Sequence, residues 1–169
     1  MKEIRLNELN ENLIETIGKE WMLVTAGTQD KFNTMTASWG GLGFLWNKNV
    51  AFIFIRPERY TYEFTEKQNT LTLAFLGKEN KLIYDVCGSQ SGRNIDKIKE
   101  TGLIPIFTEQ GNITFEQARL TLECKKLYTT NFKEEGFTDK FLLEKWYGNG
   151  HGNLHSMYIM QLTHVWIKE

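Results

Sequence analysis

Residues 33–61 read NTMTASWGGLGFLWNKNVAFIFIRPERYT, and the reading of the rest of the chain starts from them. Thr34, Thr36, Ala37, Ser38, Gly40, Gly41 and Gly43 form a small-residue region that passes through Trp39 and Trp46 into an apolar run, Val50 to Ile55. That run is β-branched and aromatic with no breaker, which suits a strand. It stops at Arg56, Pro57, Arg59 and Tyr60. Small residues let a ligand approach the backbone closely, aromatic rings supply flat walls, and two guanidiniums at a strand end attract an anion. Together they point to a flat, anionic small molecule. An ordinary strand with a glycine bend explains the first half equally well. A solvated pair of arginines bridging to Glu58 or Glu63 explains the second.

Outward from this stretch the chain reads as strands with short helices between them. Leu9, Leu13, Ile14 and Ile17 recur at helical spacing, with Asn7 as a candidate cap and Gly18 as a candidate stop. Trp21 to Ala26 reads as a strand, and Thr34 to Ser38 and Leu42 to Trp46 as short strands around a glycine bend. Thr61 can cap a helix over Tyr62 to Lys67. Thr70 to Phe75 alternates as a strand. Leu82, Ile83 and Val86 suit a helix ending near Gly88, and Ile95 and Ile98 another closed by Gly102. Ile113 to Phe115 and Arg119 to Tyr128 are strands, the latter with Leu120, Leu122 and Cys124 on one face. Phe141, Leu142 and Trp146 form a helical patch after Thr138 and Asp139, and Met157 to Ile167 is the last long strand. This is not the regular alternation of a doubly wound parallel sheet. It predicts a mainly β (α+β) fold, a closed or partly closed antiparallel barrel with peripheral short helices.

The 169 residues are enough for a single domain over 1–169, and 41% apolar residues can build its core. A net charge of -1 argues against general nucleic-acid binding. Two cysteines in no paired spacing, no run long enough to span a bilayer and a mixed-charge N-terminus predict a protein of the reducing cytoplasm with no membrane segment.

A third stretch carries chemistry. Cys87-Gly-Ser-Gln-Ser-Gly-Arg93, followed by Asn94, Ile95, Asp96 and Lys97, is a Gly/Ser loop with hydroxyls at Ser89 and Ser91 and cations at Arg93 and Lys97. A loop of this kind opening a helix suits a phosphate, and a plain helix–helix turn explains it as well. It matches neither phosphate-loop nor dinucleotide fingerprint. His151 and His155 lie among glycines without completing a zinc set. Cys124 sits on an apolar strand face as a structural cysteine would, and no nucleophile elbow is present.

NTMTASWGGLG, RPERYTYEF and CGSQSGRNIDK, in this order, resemble the flavin reductase-like proteins with an FMN-binding split β-barrel, the flavoredoxin group. TLECK at Thr121–Lys125 and the final strand are similar too, so the resemblance covers about Trp21 to Ile167. It implies a homodimer of Greek-key split barrels with one FMN per subunit near the interface. By position, Met35, Thr36, Ala37, Ser38 and Trp39 would line the isoalloxazine. Arg56, Arg59, Tyr60 and Thr61 would hold the ribityl and phosphate side, and Ser91, Gly92, Arg93 and Lys97 would complete the phosphate or ring-edge contacts. The family often has a His ahead of a Tyr-Ile-Gly-Glu run; here His155, Tyr158 and Ile159 match, and Met160-Gln161 replaces Gly-Glu. The implied activity is an NAD(P)H:flavin oxidoreductase, with NAD(P)H docking transiently because no Rossmann fingerprint is present. The alternatives are an FMN-bound electron carrier serving a redox protein partner and a non-catalytic binding module.

Overall fold

The computed structural model describes residues 1–148 and 150–168. In chain order its elements are β1 (Lys2–Ile4), α1 (Leu13–Glu15), β2 (Met22–Gly27), β3 (Phe32–Ala37), β4 (Gly40–Leu45), β5 (Lys48–Ile55), α2 (Tyr60–Lys67) and β6 (Thr70–Phe75). Then follow α3 (Lys81–Ser89), α4 (Lys97–Thr101), β7 (Pro105–Phe107), β8 (Ile113–Phe115), β9 (Leu120–Asn131), α5 (Lys140–Tyr147) and β10 (Ser156–Ile167). One antiparallel sheet runs in the order β3-β2-β6-β9-β10-β5-β4, with β1 laid along β10, and β7 pairs β8 as a separate hairpin. Only Ser38 and Trp39 separate β3 from β4 in the chain, yet these two strands are the unpaired ends of the sheet path. The fold is an antiparallel split β-barrel, and the split lies where the sequence turns from Ala37 to Gly40.

The barrel interior is filled by alternate residues of the long strands, including Met22, Val24, Ile53, Ile55, Leu71, Leu73, Leu122, Tyr158 and Met160. Met160, where the family pattern has glycine, is therefore a core side chain. A second cluster lies outside the barrel, where Leu23, Ala74 and Leu76 meet Tyr84 and Cys87 of α3, Phe115 and Ala118. Strand β2 is buried on both faces, so it reads as a continuous apolar run without alternation. Thr121 and Glu123, on the face of β9 opposite Leu120, Leu122 and Cys124, are buried as well, because the β7–β8 hairpin covers them. Thr114 and Thr121 hydroxyls lie 2.7 Å apart, and Thr108 donates to Glu123 at 2.6 Å.

The N-terminal expectation needs correction. Asn7 lies in a short 3-10 turn, Leu6–Glu8, and the helix starts at Leu13 with Asn12 as its cap. Gly18 does not stop it. The helix widens into a π turn over Thr16–Glu20 and is released at Trp21, which has φ of 76°. Long-range ion pairs explain the ending, since Arg119 binds Glu11 at 2.6 Å and also Glu20. Sequence spacing carries no sign of that tie.

Candidate functional site

Two adjoining hollows open at the split and share Met35 and Arg59 in their walls. The first, about 130 Å³, is lined by Asn33, Arg59, Tyr60, Thr61, Ser91, Gly92 and Lys97, among others. It collects donors. Helix α2 starts here with no side-chain cap, and the Tyr60 and Thr61 N–H groups take no partner among the described residues. An uncapped N-terminus carries partial positive charge and free donors. Lys97 is buried, and its Nζ donates to the Thr34 and Cys87 carbonyls, both at 2.8 Å. The Arg59 guanidinium reaches the same Cys87 carbonyl at 3.3 Å. Burial pushes the Lys97 ammonium down to about 8, with Cys87 opposing and Arg59 adding to the shift. Burial also holds Arg59 below its ordinary value. Two desolvated cations beside unspent amides are a site for an anion. The acidic exception in the wall, Glu58, is occupied by the Asn153 N–H at 2.6 Å.

The second hollow is a slot of about 240 Å³ lined by Met35, Thr36, Ala37, Ser38, Trp39, Phe54, Arg56, Arg59, Trp146 and His155. Strand β3 is an edge strand, so its outward backbone groups are free of the sheet. The Thr34 carbonyl faces outward to Lys97, and by the two-residue period the Thr36 backbone faces the same way. The Thr36 hydroxyl anchors β3 to α3 by donating to the Tyr84 carbonyl at 2.6 Å. Trp39 forms one wall, with Trp146 edge-on at 5.0 Å and His155 tilted at 5.1 Å. Taken together the two hollows reach the size of a small-molecule site, about 300–1,000 Å³. Flat walls and a free backbone edge at one end, and one buried and one half-buried cation at the other, suit a planar ring joined to a phosphate.

Comparison with family models matches residues 15–169 to the flavin reductase like domain. The chain belongs to the flavin reductase-like family. Among solved structures of the same fold, Methanosarcina acetivorans flavoredoxin superposes with a TM-score of 0.69 at 17% identity, over 100% of this chain and 77% of that one. The FMN-binding protein of Thermus thermophilus gives 0.68 at 19% identity, covering 100% and 83%. Nitrilotriacetate monooxygenase component B of Bacillus cereus gives 0.68 at 14%, covering 100% and 82%. A comparison with curated proteins returned no match.

The residues carried over from the family motifs divide in the structure. Met35 to Trp39 all line the slot, and Arg59, Tyr60, Thr61, Ser91, Gly92 and Lys97 all line the anion hollow. Thr61 is not the helix cap. It is the second residue of α2, buried, and its hydroxyl accepts from the Asn33 side chain at 2.8 Å. Arg56 borders the slot rather than the anion hollow. Its guanidinium donates to the Trp146 carbonyl at 2.8 Å and to the His151 carbonyl, holding the C-terminal end of α5. A cation there complements the helix dipole. Arg93 also turns away. It donates to the Glu58 carbonyl at 3.1 Å, pairs with Glu63 and stacks on the Tyr60 ring at 4.7 Å. The Gly/Ser loop does not offer a helix N-terminus either. Asp96 caps α4 by accepting from Ile98 and Lys99 N–H groups, so the open helix start at this site is that of α2.

Family motifs did not supply Asn33, Phe54, Trp146 or His155 as lining residues. Asn33 stands at the head of the opening stretch, and His155 matches a family position. Trp146 carries no signal, since it arrives from a helix remote in the chain. Both cysteines are buried, and burial pushes the Cys87 thiol up to about 11, which leaves it protonated and inert. No cluster of metal-ligand side chains occurs among the described residues. Among the described residues, no helix is long and apolar enough to cross a membrane.

Proposed function

We propose that the chain is an FMN-binding flavoprotein acting as an NAD(P)H:flavin oxidoreductase, with NAD(P)H as a transient co-substrate. One observation carries this reading: Arg59, Lys97 and the open start of α2 converge on a hollow continuous with the slot walled by Met35 to Trp39. The residues present fit the cofactor. Arg59, Lys97 and the Tyr60 and Thr61 amides would hold the phosphate, and Met35 to Trp39 would face the ring. Bound flavin supplies the redox chemistry, accepting a hydride and releasing electrons. The chain binds, orients and shields. The outward Thr36 backbone offers polar contacts to a ring edge, and the aromatic walls exclude water. No side chain needs to act as a general acid or base for hydride transfer.

Purified protein should be yellow, with an oxidised-flavin spectrum that bleaches on adding NADH or NADPH. Folded, FMN-loaded protein that turns over with neither nucleotide would remove the reductase reading. One feature favours an electron carrier of flavoredoxin type instead. Trp146 packs against Trp39 within the slot wall, which narrows the space for a second ring. In that case the flavin spectrum persists with nucleotide and responds to a redox protein.

The expected homodimer is part of the same proposal. Phe44, Trp46 and Tyr128 are exposed, with the Trp46 and Tyr128 rings 6.3 Å apart, and β4 is a free edge. A second copy of the chain covering this face would give a sedimentation mass of two chains. A monomer that keeps its flavin would exclude it.

A further inference from the structure

Tyr147, the last residue of α5, borders a wider cleft of about 910 Å³ on the far side of the slot wall. That cleft is flanked by Glu134 and Glu144, with Lys140 as the cation in its lining, and so is poorly suited to an anion. Tyr147 turns its hydroxyl inward, 2.7 Å from His155 Nδ1, with the rings edge to face at 5.6 Å. Arg56 lies over the tyrosine ring at 5.0 Å from its centroid while bonding the Trp146 and His151 carbonyls. The tyrosine is therefore fixed in place, although Gly148, Gly150 and Gly152 follow it.

His155 is 7% exposed and lines the slot. Its Nδ1 is occupied by Tyr147. Its Nε2 has no hydrogen-bond partner among the described residues, yet the enclosed side-chain polar atom lacking a partner there is Glu123 Oε2, not this nitrogen. Nε2 is therefore not enclosed, and the slot is the hollow that His155 lines. Burial pushes the imidazole down to about 4, with Arg56 and Arg59 adding to the shift and Glu58 opposing it, so the ring is neutral. A neutral imidazole has one N–H. With that hydrogen on Nδ1, the phenol hydrogen of Tyr147 would find no acceptor among the described residues. With it on Nε2, Tyr147 donates to Nδ1 and both hydrogens have a direction.

We propose that Tyr147 is a positioning residue that donates to His155 Nδ1 and fixes the Nε2–H tautomer, presenting a neutral donor to the carbonyl or carboxamide oxygen of a planar ligand in the slot. The ligand half of this statement rests on the slot being the ring site proposed above; the tautomer half does not. Long-range nitrogen–proton NMR on the FMN-free protein separates them. The expected result is His155 with a protonated Nε2 and an unprotonated Nδ1 at neutral pH. Tyr147→Phe should mix the tautomers and raise the His155 titration midpoint by about half to one pH unit, the size of one neutral hydrogen bond. A protonated Nδ1 in the wild-type protein overturns the proposal, and so does a Tyr147→Phe spectrum unchanged in tautomer and midpoint. Adding FMN and then nicotinamide to the labelled protein reads the ligand half. A shifted Nε2–H resonance supports it, and an unmoved one refutes it. Failure of FMN to bind would instead count against the flavin reading, leaving the tautomer result standing.

Discussion

Arg59→Ala tests the anion hollow most directly. Arg59 and Lys97 share the Cys87 carbonyl, so the variant keeps one cation on that oxygen and the loop should stay seated. What is lost is a desolvated charge at the mouth shared by the two hollows. A hydrogen bond to a charged group contributes about 1.5–3 kcal/mol. At about 1.4 kcal/mol per tenfold change, FMN should bind roughly 10- to 150-fold more weakly. Riboflavin, which lacks the phosphate, is the control and should lose less than about threefold, because only a charge-assisted contact is removed. Arg93→Ala should cost less than about 1 kcal/mol with either ligand, since Arg93 spends its donors on Glu58 and Glu63 at the surface. Quenching of flavin fluorescence on titration with protein measures all of these affinities. Equal losses for FMN and riboflavin in Arg59→Ala would refute the phosphate assignment. An Arg93→Ala loss as large as that of Arg59→Ala would move the phosphate to the neighbouring cleft of about 600 Å³ that Tyr60, Arg93 and Lys97 line.

Lys97 sets a pH dependence. Burial pushes its ammonium down to about 8 and a bound anion would raise that value, so FMN affinity should be full below about 8 and fall as pH climbs through it. The second ionisation of a phosphate near ~6 reduces affinity on the acid side. Isothermal titration across pH should show a plateau between these limits, with the alkaline limb missing in Lys97→Met. The same depressed value means the unfolded chain binds more protons between about 8 and 10.5, so ligand-free stability should rise with pH across that window in chemical denaturation. Gly92→Ala drives a methyl group into the Asn33 carboxamide, which is itself bonded to Thr61. Overpacking of this kind costs about 1–3 kcal/mol, visible as a lower thermal midpoint together with weaker FMN binding. Arg56→Ala should leave the phosphate contacts intact but free the end of α5, read as faster amide exchange over Trp146 and Tyr147 with FMN affinity changed by less than about threefold.

The strands around the site were legible because their signals are local. Val50 to Ile55 is β-branched and aromatic with no breaker, a local composition that suits a strand, and Thr70 to Phe75 and Ile113 to Phe115 appear at the bounds read from sequence. Met35 to Trp39 are contiguous, so one stretch of sequence brings them together along the slot. The ending of the N-terminal helix could not be read locally, because Arg119 ties it through Glu11 and Glu20 from a distant part of the chain.

What the amino-acid order determined by itself is the set of chemical groups and the strands that carry them: small residues beside a tryptophan, arginines at a strand end, a Gly/Ser turn with a lysine after it. The tertiary structure alone decided which of those charges line the hollow beside α2. Arg56, Arg59, Arg93 and Lys97 look equivalent in a string of letters. Folding spends Arg56 on the end of α5 and Arg93 on surface carboxyl and carbonyl groups, and sets half-buried Arg59 and buried Lys97 over one carbonyl beside the open start of α2. A cation's electrostatic value depends on how much water and how many competing acceptors surround it. Those surroundings come from β3, α2, α3 and α5 meeting at the split, and are encoded in no single stretch.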